Sequence, residues 1–317
     1  MKSEKIAVLV PCYNEEKTIK KVVEDFRKVL PEAVIYVYDN NSSDKSYEIV
    51  EKMAKKGVLT KKVVLRKEPR QGKGNVVRQM FREIQADCYI MVDADDTYPA
   101  ESAREMSELV LSGQADMVVG DRLSTTYFSE NKRPMHNFGN KIVRWLIRRL
   151  FQNDIHDIMT GYRAFSREFV KGFPVLSKGF EIETEMSIHA VDKNYRIVEI
   201  PIEYRDRPEG SESKLSTYTD GLKVLKTIGV LFAEYKPLRF FTILAVIFGI
   251  IGLVLVWPAF SEYFQAGFVT KIPRLVVGCF LILFGLLDFV TGLILQVINK
   301  KDRQRYEILM NLTKNDF

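Results

Sequence analysis

Two apolar runs near the C-terminus constrain this chain more than any other feature. Phe240 to Trp257 is eighteen residues without a charge, and Leu275 to Ile298 is twenty-four with Asp288 alone. About 20 apolar residues cross a hydrocarbon core, so each run suffices for one transmembrane helix. The whole chain is 46% hydrophobic and 28% charged, as a soluble protein would be, so the apolar excess is local. A wholly soluble enzyme, a disordered chain and a many-span transporter are thereby excluded. Lys223, Lys226, Lys236 and Arg239 precede the first run and Lys300, Lys301, Arg303 and Arg305 follow the second; the loop between holds Lys271 and Arg274. The bias of basic residues toward the cytoplasmic side predicts two spans in the plasma membrane, with both termini and the soluble part in the cytoplasm.

Other bulk features narrow the chain further. The first apolar run, Ile6 to Val10, is short and leads into Asn14, Glu15 and Glu16, unlike a secretory signal. Cys12, Cys88 and Cys279 lack metal spacing and suit a reducing compartment. Net charge is +6, but the basic residues gather beside the apolar runs, and no nucleic-acid partner is expected. The expected order is an α/β domain over 1–214, a juxtamembrane amphipathic helix over 215–237, a two-helix hairpin over 238–298 and a cytoplasmic tail over 299–317. A second basic amphipathic segment, Asn140–Phe151, also reads as interfacial or as a helix packed on the sheet.

Within residues 1–214, short apolar runs alternate with amphipathic stretches, the pattern of a mostly parallel, Rossmann-like sheet with crossover helices. Strands are expected at Ile6–Val10, Ala33–Tyr38, Lys62–Leu65, Cys88–Val92, Asp116–Val119 and Arg196–Ile200. Helices are expected at Glu15–Val29, Asp44–Lys55, Gly74–Ile84, Ala100–Ser112 and Glu181–Lys193, the first capped by Asn14. Polar clusters follow four strands in succession: Tyr13-Asn14-Glu15, Asp39 to Asp44, Gly72-Lys73-Gly74 and Asp93-Ala94-Asp95-Asp96. Ligands of open α/β sheets bind outside the carboxyl ends of the strands, so these clusters should share one crevice. Asp93-x-Asp95 sets two hard carboxylates at its mouth, an arrangement that holds Mg²⁺ or Mn²⁺ against a diphosphate leaving group. Lys73 between glycines at a helix start suits an anion or a solvated turn. On the second apolar run Gly278, Gly285 and Gly292 share a face with Asp288, which predicts homo-oligomers through this span or contact with the first span near Ala245 and Gly249.

The motifs together resemble a known family. Val10-Pro11-Cys12-Tyr13-Asn14-Glu15-Glu16, Asp39-Asn40-Asn41-Ser42-Ser43-Asp44, Arg70-Gln71-Gly72-Lys73-Gly74 and Val92-Asp93-Ala94-Asp95-Asp96 resemble the family 2 inverting glycosyltransferases of the GT-A fold. Gly120-Asp121-Arg122, Asp157 to Phe165 and Arg207 to Lys214 resemble the subgroup that glycosylates polyprenyl phosphates, such as dolichyl-phosphate mannose synthases and bacterial undecaprenyl-phosphate glucosyltransferases. The resemblance implies a nucleotide-sugar site of Pro11, Tyr13, Glu15, Asp39, Lys73, Asp93 and Asp95, with the metal on Asp93 and Asp95. It implies an acceptor-phosphate site of Arg122, Ser213, Arg207 and Lys214, and catalytic roles for Asp95 and Asp157. The reaction implied is inverting transfer of a hexose, with UDP-glucose as first donor, to undecaprenyl phosphate. There are two departures from the pattern: Asp-Asn-Asn at 39–41 stands where many of the family have two acids and a glycine, and Asp96 stands where others often have an apolar residue. A processive polysaccharide synthase is the alternative, but Lys141 stands where its Gln-x-x-Arg-Trp motif needs glutamine, and two spans line no channel. A membrane-tethered nucleotide-sugar sensor is the non-catalytic alternative, against which the full acidic set weighs.

Overall fold

A computed structural model of the chain describes residues 4–55, 62–125, 155–179, 181–205 and 228–313, together with residues 145, 148, 149 and 226. The chain forms two compact units, Met1–Leu225 and Lys226–Phe317. In the first unit the order is β1 (Glu4–Cys12), α1 (Ile19–Val29), β2 (Val34–Asp39), α2 (Ser46–Lys55), β3 (Val63–Lys67), α3 (Lys73–Glu83), β4 (Ala86–Met91), α4 (Ser102–Leu111) and β5 (Met117–Asp121). There follow β6 (Arg163–Ser166), α5 (Arg167–Gly172), α6 (Ile182–Asp192) and β7 (Ile197–Pro201). The sheet runs β3-β2-β1-β4-β6-β5-β7, and β6 is antiparallel to both its neighbours while the other pairings are parallel.

This is the expected α/β sheet with one strand more. β6 escapes the sequence because its four residues, Arg163-Ala164-Phe165-Ser166, are too few to show a period, and all four are buried. The interior strand β1 is buried from Ile6 to Val10, as suits a strand covered on both faces. Its register with β2 pairs Cys12 with Asp39, so the two polar clusters leave the sheet side by side.

The first helix starts later than expected. Asn14 does not cap it: its φ is +53°, its Oδ1 accepts from the Ser43 N–H at 2.7 Å, and Thr18 precedes the first helical residue. Asn14 ties two loops together in place of closing a helix end. Segment Asn140–Phe151 lies outside the described residues apart from 145, 148 and 149. So do 206–225 of the juxtamembrane region, while residues 228–235 are helical with Phe232 edge-on to Phe240 at 5.8 Å.

The second unit holds α7 (Pro237–Ala266, 30 residues) and α8 (Ile272–Thr313, 42 residues), both long and apolar enough to cross a membrane. Gly267, at φ +75°, closes α7 with a left-handed turn. The two helices pack through the glycine stripe. A Cβ on Gly278 would come within 2.9 Å of the Gly252 carbonyl, and one on Gly285 within 2.8 Å of the Ala245 carbonyl. Gly292 faces Phe241 and Leu238 in the same way, whereas Gly249 has open space around it. The stripe is thus filled within the hairpin, and self-association loses the glycines as its basis. Small residues bring two backbones together, which is what these three do for one chain.

Candidate functional site

All four polar clusters converge at the carboxyl ends of β1 to β4, and side chains stitch them together. The Asn40 N–H donates to the Cys12 carbonyl at 2.9 Å, while the Asn14 N–H donates to Ser42 Oγ and the Glu15 N–H to Ser46 Oγ. Asn40 also reaches the third cluster: its Nδ2 donates to the Glu68 and Arg70 carbonyls, and its Oδ1 accepts from the Gly72 N–H at 2.7 Å. An acid at position 40 has no donor for those two carbonyls, so the first departure from the family pattern has a structural reason. Asn41 has φ +62°, the left-handed region that glycine enters freely and where asparagine is the tolerated substitute. Its Nδ2 donates to the Pro69 carbonyl at 2.8 Å. Asn41→Val should therefore cost about 1–2 kcal/mol more than Asn41→Gly, a difference that isolates backbone strain from the lost side chain. Thermal unfolding of the two variants measures it; equal losses would mean the φ is not what asparagine supplies.

Pro11, Tyr13, Glu15 and Asp39 line the β1–β2 end of the crevice. Tyr13 is exposed, Glu15 and Asp39 are buried, and Asp39 Oδ2 accepts from the Ser42 N–H at 3.3 Å. Its other oxygen, Oδ1, is buried with no hydrogen-bond partner among the described residues. A buried carboxylate oxygen left unsatisfied is costly, and a ligand N–H arriving there would relieve it.

The glycines around Lys73 serve the chain itself. A Cβ on Gly72 would lie 2.2 Å from the Lys178 carbonyl oxygen and one on Gly74 2.2 Å from that of Ser177, and the Gly74 N–H donates to Lys178. These glycines let segment 177–178 cross the start of α3. Lys73 is turned inward: its Nζ donates to Asp93 Oδ1 and, at 2.6 Å, to Glu183 Oε1, and its side chain is 8% exposed. Burial pulls the Lys73 ammonium down, but the two carboxylates more than offset it and hold the lysine above its usual range. Burial pushes the Glu183 carboxyl up against the pull of Lys73.

Asp95 is buried, and its Oδ1 accepts from the Thr97 N–H at 3.3 Å and from Thr97 Oγ1 at 2.7 Å. Asp96, the second departure from the pattern, has φ +61° and pairs with Lys21 on α1 at 2.6 Å. Among the described residues no three His, Cys, Asp or Glu side chains form a metal cage. Two hard carboxylates suit a Mg²⁺-type cation that takes its remaining ligands from substrate phosphates and water, so the donor set fits such an ion without a cage.

Asp157 and Arg122 form the opposite wall. Arg122 Nε donates to Asp157 Oδ2 at 2.7 Å, Nη2 to Oδ1 at 3.0 Å, and the Arg122 N–H to Oδ2 at 3.1 Å. The side chains are 13% and 2% exposed. This planar two-point pairing fixes where the guanidinium sits. Glu199 on β7 accepts from the His156 and Asp157 N–H groups and holds that loop. Tyr98 Oη accepts from Arg122 Nη1 at 3.3 Å and from the Gly161 N–H at 3.1 Å. Gly161 in turn lies against Asp93, where a Cβ would meet Oδ2 at 2.4 Å. Arg163, fully buried and pulled down to about 10 by that burial, donates to the Thr160 carbonyl at 3.0 Å and to Ser187 Oγ at 2.9 Å. It joins the Asp157 loop to α6.

Of the residues singled out in the sequence, Pro11, Tyr13, Glu15, Asp39, Lys73, Asp93, Asp95, Arg122 and Asp157 are placed by the structure, and it draws them to one crevice. Arg207, Ser213 and Lys214 lie outside the described residues. Glu183, Tyr98, Glu199 and Arg163 were missed. For Glu183 the sequence carries one signal: Glu181, Glu183 and Glu185 alternate at the start of a helix whose other residues are mostly apolar.

Comparison with known proteins places this geometry. The glycosyl transferase family 2 profile matches residues 7–173, more than half of the chain. Glycosyltransferase AglJ of Haloferax volcanii is 30% identical over 297 residues, covering 89% of this chain and 92% of AglJ. A dolichyl-phosphate hexose transferase of the same organism is 30% identical over 223 residues, covering 70% of this chain and 92% of its own. Among solved structures, glucosyl-3-phosphoglycerate synthase from Mycobacterium tuberculosis, in complex with Mn²⁺, UDP-glucose and phosphoglyceric acid, has a TM-score of 0.55. It is 16% identical, and the match covers 73% of this chain and 80% of the synthase, which establishes a shared GT-A fold. With the strand-end crevice, its paired aspartates and these matches together, the chain belongs to glycosyl transferase family 2.

Proposed function

We propose that this chain transfers a hexose from a nucleoside diphosphate sugar, UDP-glucose first among donors, to a polyprenyl phosphate at the cytoplasmic face of the membrane, inverting the anomeric carbon. The observation that carries the reading is the Tyr98 hydroxyl, which links Arg122 to the Gly161 backbone packed on Asp93. A cation for an incoming phosphate and the carboxylates for a departing diphosphate are thereby held in one crevice. The relative that acts on dolichyl phosphate and the two apolar helices support a lipid acceptor.

Each residue then has a task. Asp39 accepts from a base N–H through its unsatisfied oxygen. Asp93 and Asp95 would hold Mg²⁺ or Mn²⁺, which would supply charge neutralisation for a diphosphate leaving group. Asp157 holds Arg122 in place, and Arg122, with Arg207, Ser213 and Lys214, draws the acceptor phosphate in against the repulsion of the donor. A phosphate monoester, with its second pKa near 6, is largely dianionic at neutral pH and needs little help from a base. Positioning is what the chain supplies.

The test is a donor panel of UDP-glucose, UDP-galactose, UDP-N-acetylglucosamine and GDP-mannose, each with and without undecaprenyl phosphate. One lipid-linked hexose, β from an α-linked donor, is expected only when the lipid is present. Polymer, or donor turnover indifferent to the lipid, would overturn the reading.

A further inference from the structure

Lys73 stands between two carboxylates from distant parts of the chain, Asp93 after β4 and Glu183 in the first turn of α6. Glu183 is 5% exposed and Lys73 is 8% exposed, while Asp93, at 29%, is the member that reaches the crevice. Glu183 is also firmly placed. Its carbonyl accepts from Ser187 Oγ at 3.0 Å, and Ser187 Oγ accepts from Arg163. Its Oε1 faces Lys73, and Oε2 is buried with no partner among the described residues. This is a costly way to bury a carboxylate unless its charge has a use.

That use follows from electrostatics. Two carboxylates, Asp93 and Glu183, share the one ammonium of Lys73, and on the proposed reading Asp93 must also take a divalent cation together with Asp95. Such a cation and Lys73 compete for Asp93, because Lys73 already occupies Asp93 Oδ1. If Lys73 leaned on Asp93 alone, that competition would go against the cation. With Glu183 at 2.6 Å, part of the ammonium charge is answered elsewhere. When Asp93 turns to a cation, Lys73 keeps a charged partner and is not left buried and unpaired.

We infer that Glu183 sets how readily Asp93 exchanges Lys73 for a divalent cation, acting through Lys73 as a positioning residue. The inference rests on the proposed reading that Asp93 receives the cation. It is tested on the full chain in detergent with UDP, by titrating Mn²⁺ and following its bound fraction by electron paramagnetic resonance. Glu183→Gln should raise the Mn²⁺ concentration for half-saturation about tenfold, the effect of roughly one partly buried charge pair. Lys73→Met should lower it, and the double variant should stay at or below the wild type because the competitor is gone. A merely structural Glu183 would weaken Mn²⁺ binding equally with and without Lys73. Wild-type affinity in Glu183→Gln, or a double variant as weak as that single one, would overturn the inference and leave the proposed function standing. If the wild type with UDP takes up no Mn²⁺, the metal reading falls first and this inference with it. Should Glu183→Gln fail to fold by thermal melt, Lys73→Met decides alone: unchanged or weaker Mn²⁺ binding overturns the proposal.

Discussion

Asp95→Asn is expected to lower turnover about 10³-fold while changing stability by no more than about 1 kcal/mol. The two effects separate because the amide is isosteric with the carboxylate. Its Oδ1 still accepts from the Thr97 N–H and hydroxyl, so the turn that carries the side chain is kept. What the variant loses is one unit of negative charge at the place where, on the proposed reading, the cation that neutralises the diphosphate is held. Asp96→Asn is the internal control. It also removes one carboxylate charge, one residue away, but from a pair with a half-exposed lysine on α1. Exposed pairs contribute about 0–1 kcal/mol, and activity should stay within about twofold of wild type. Steady-state turnover and thermal unfolding of both variants, with and without a chelator, make the comparison. Full activity of Asp95→Asn in chelator would remove Asp95 from the chemistry.

Why the crevice was legible and its supports were not comes down to where each residue stands. Asp39 and Asp93 follow apolar runs directly and Lys73 opens the helix after the third strand, and in a parallel sheet those positions send them to one edge. The register of Cys12 with Asp39 then does what the pattern predicts. Glu183 and Arg163 obey no such rule. Glu183 lies 110 residues from Lys73 and 90 from Asp93, on a helix buried on nearly every side, so no amphipathic stripe marks it. Arg163 sits in a strand too short to have a period, and two of its bonds go to backbone carbonyls, which leave no trace in side-chain chemistry. Asn14 misled for a physical reason as well. Asparagine caps helices and adopts left-handed turns through the same short amide, and here the second use prevails. The glycine stripe of α8 is similar: spacing shows that a helix can approach, while the structure shows that the approaching helix is α7.

Breaking the Arg122–Asp157 pair should weaken use of the acceptor far more than binding of the donor. The pair is nearly closed to water, and removing one partner of such a pair costs about 3–5 kcal/mol, so Asp157→Ala and Arg122→Ala should also lose stability. Subtler variants isolate function. Asp157→Asn keeps an oxygen for the Arg122 N–H but gives up the charged two-point bond. Arg122→Lys keeps the charge and gives up the planar fork. If Asp157 serves by holding Arg122, both variants fail in the same way, because each frees the cation that meets the acceptor phosphate. The acceptor KM should rise about tenfold or more, the counterpart of roughly 1.4 kcal/mol, with donor affinity near wild type. If Asp157 were instead the base, Asp157→Asn would lower kcat and leave the acceptor KM alone, and Arg122→Lys would not copy it. A base is not what this acceptor lacks, since a monoester phosphate is already charged at neutral pH. Acceptor kinetics and donor affinity, measured separately on both variants, decide between the two. A loss confined to kcat in Asp157→Asn, with Arg122→Lys near normal, would return Asp157 to the role of proton acceptor.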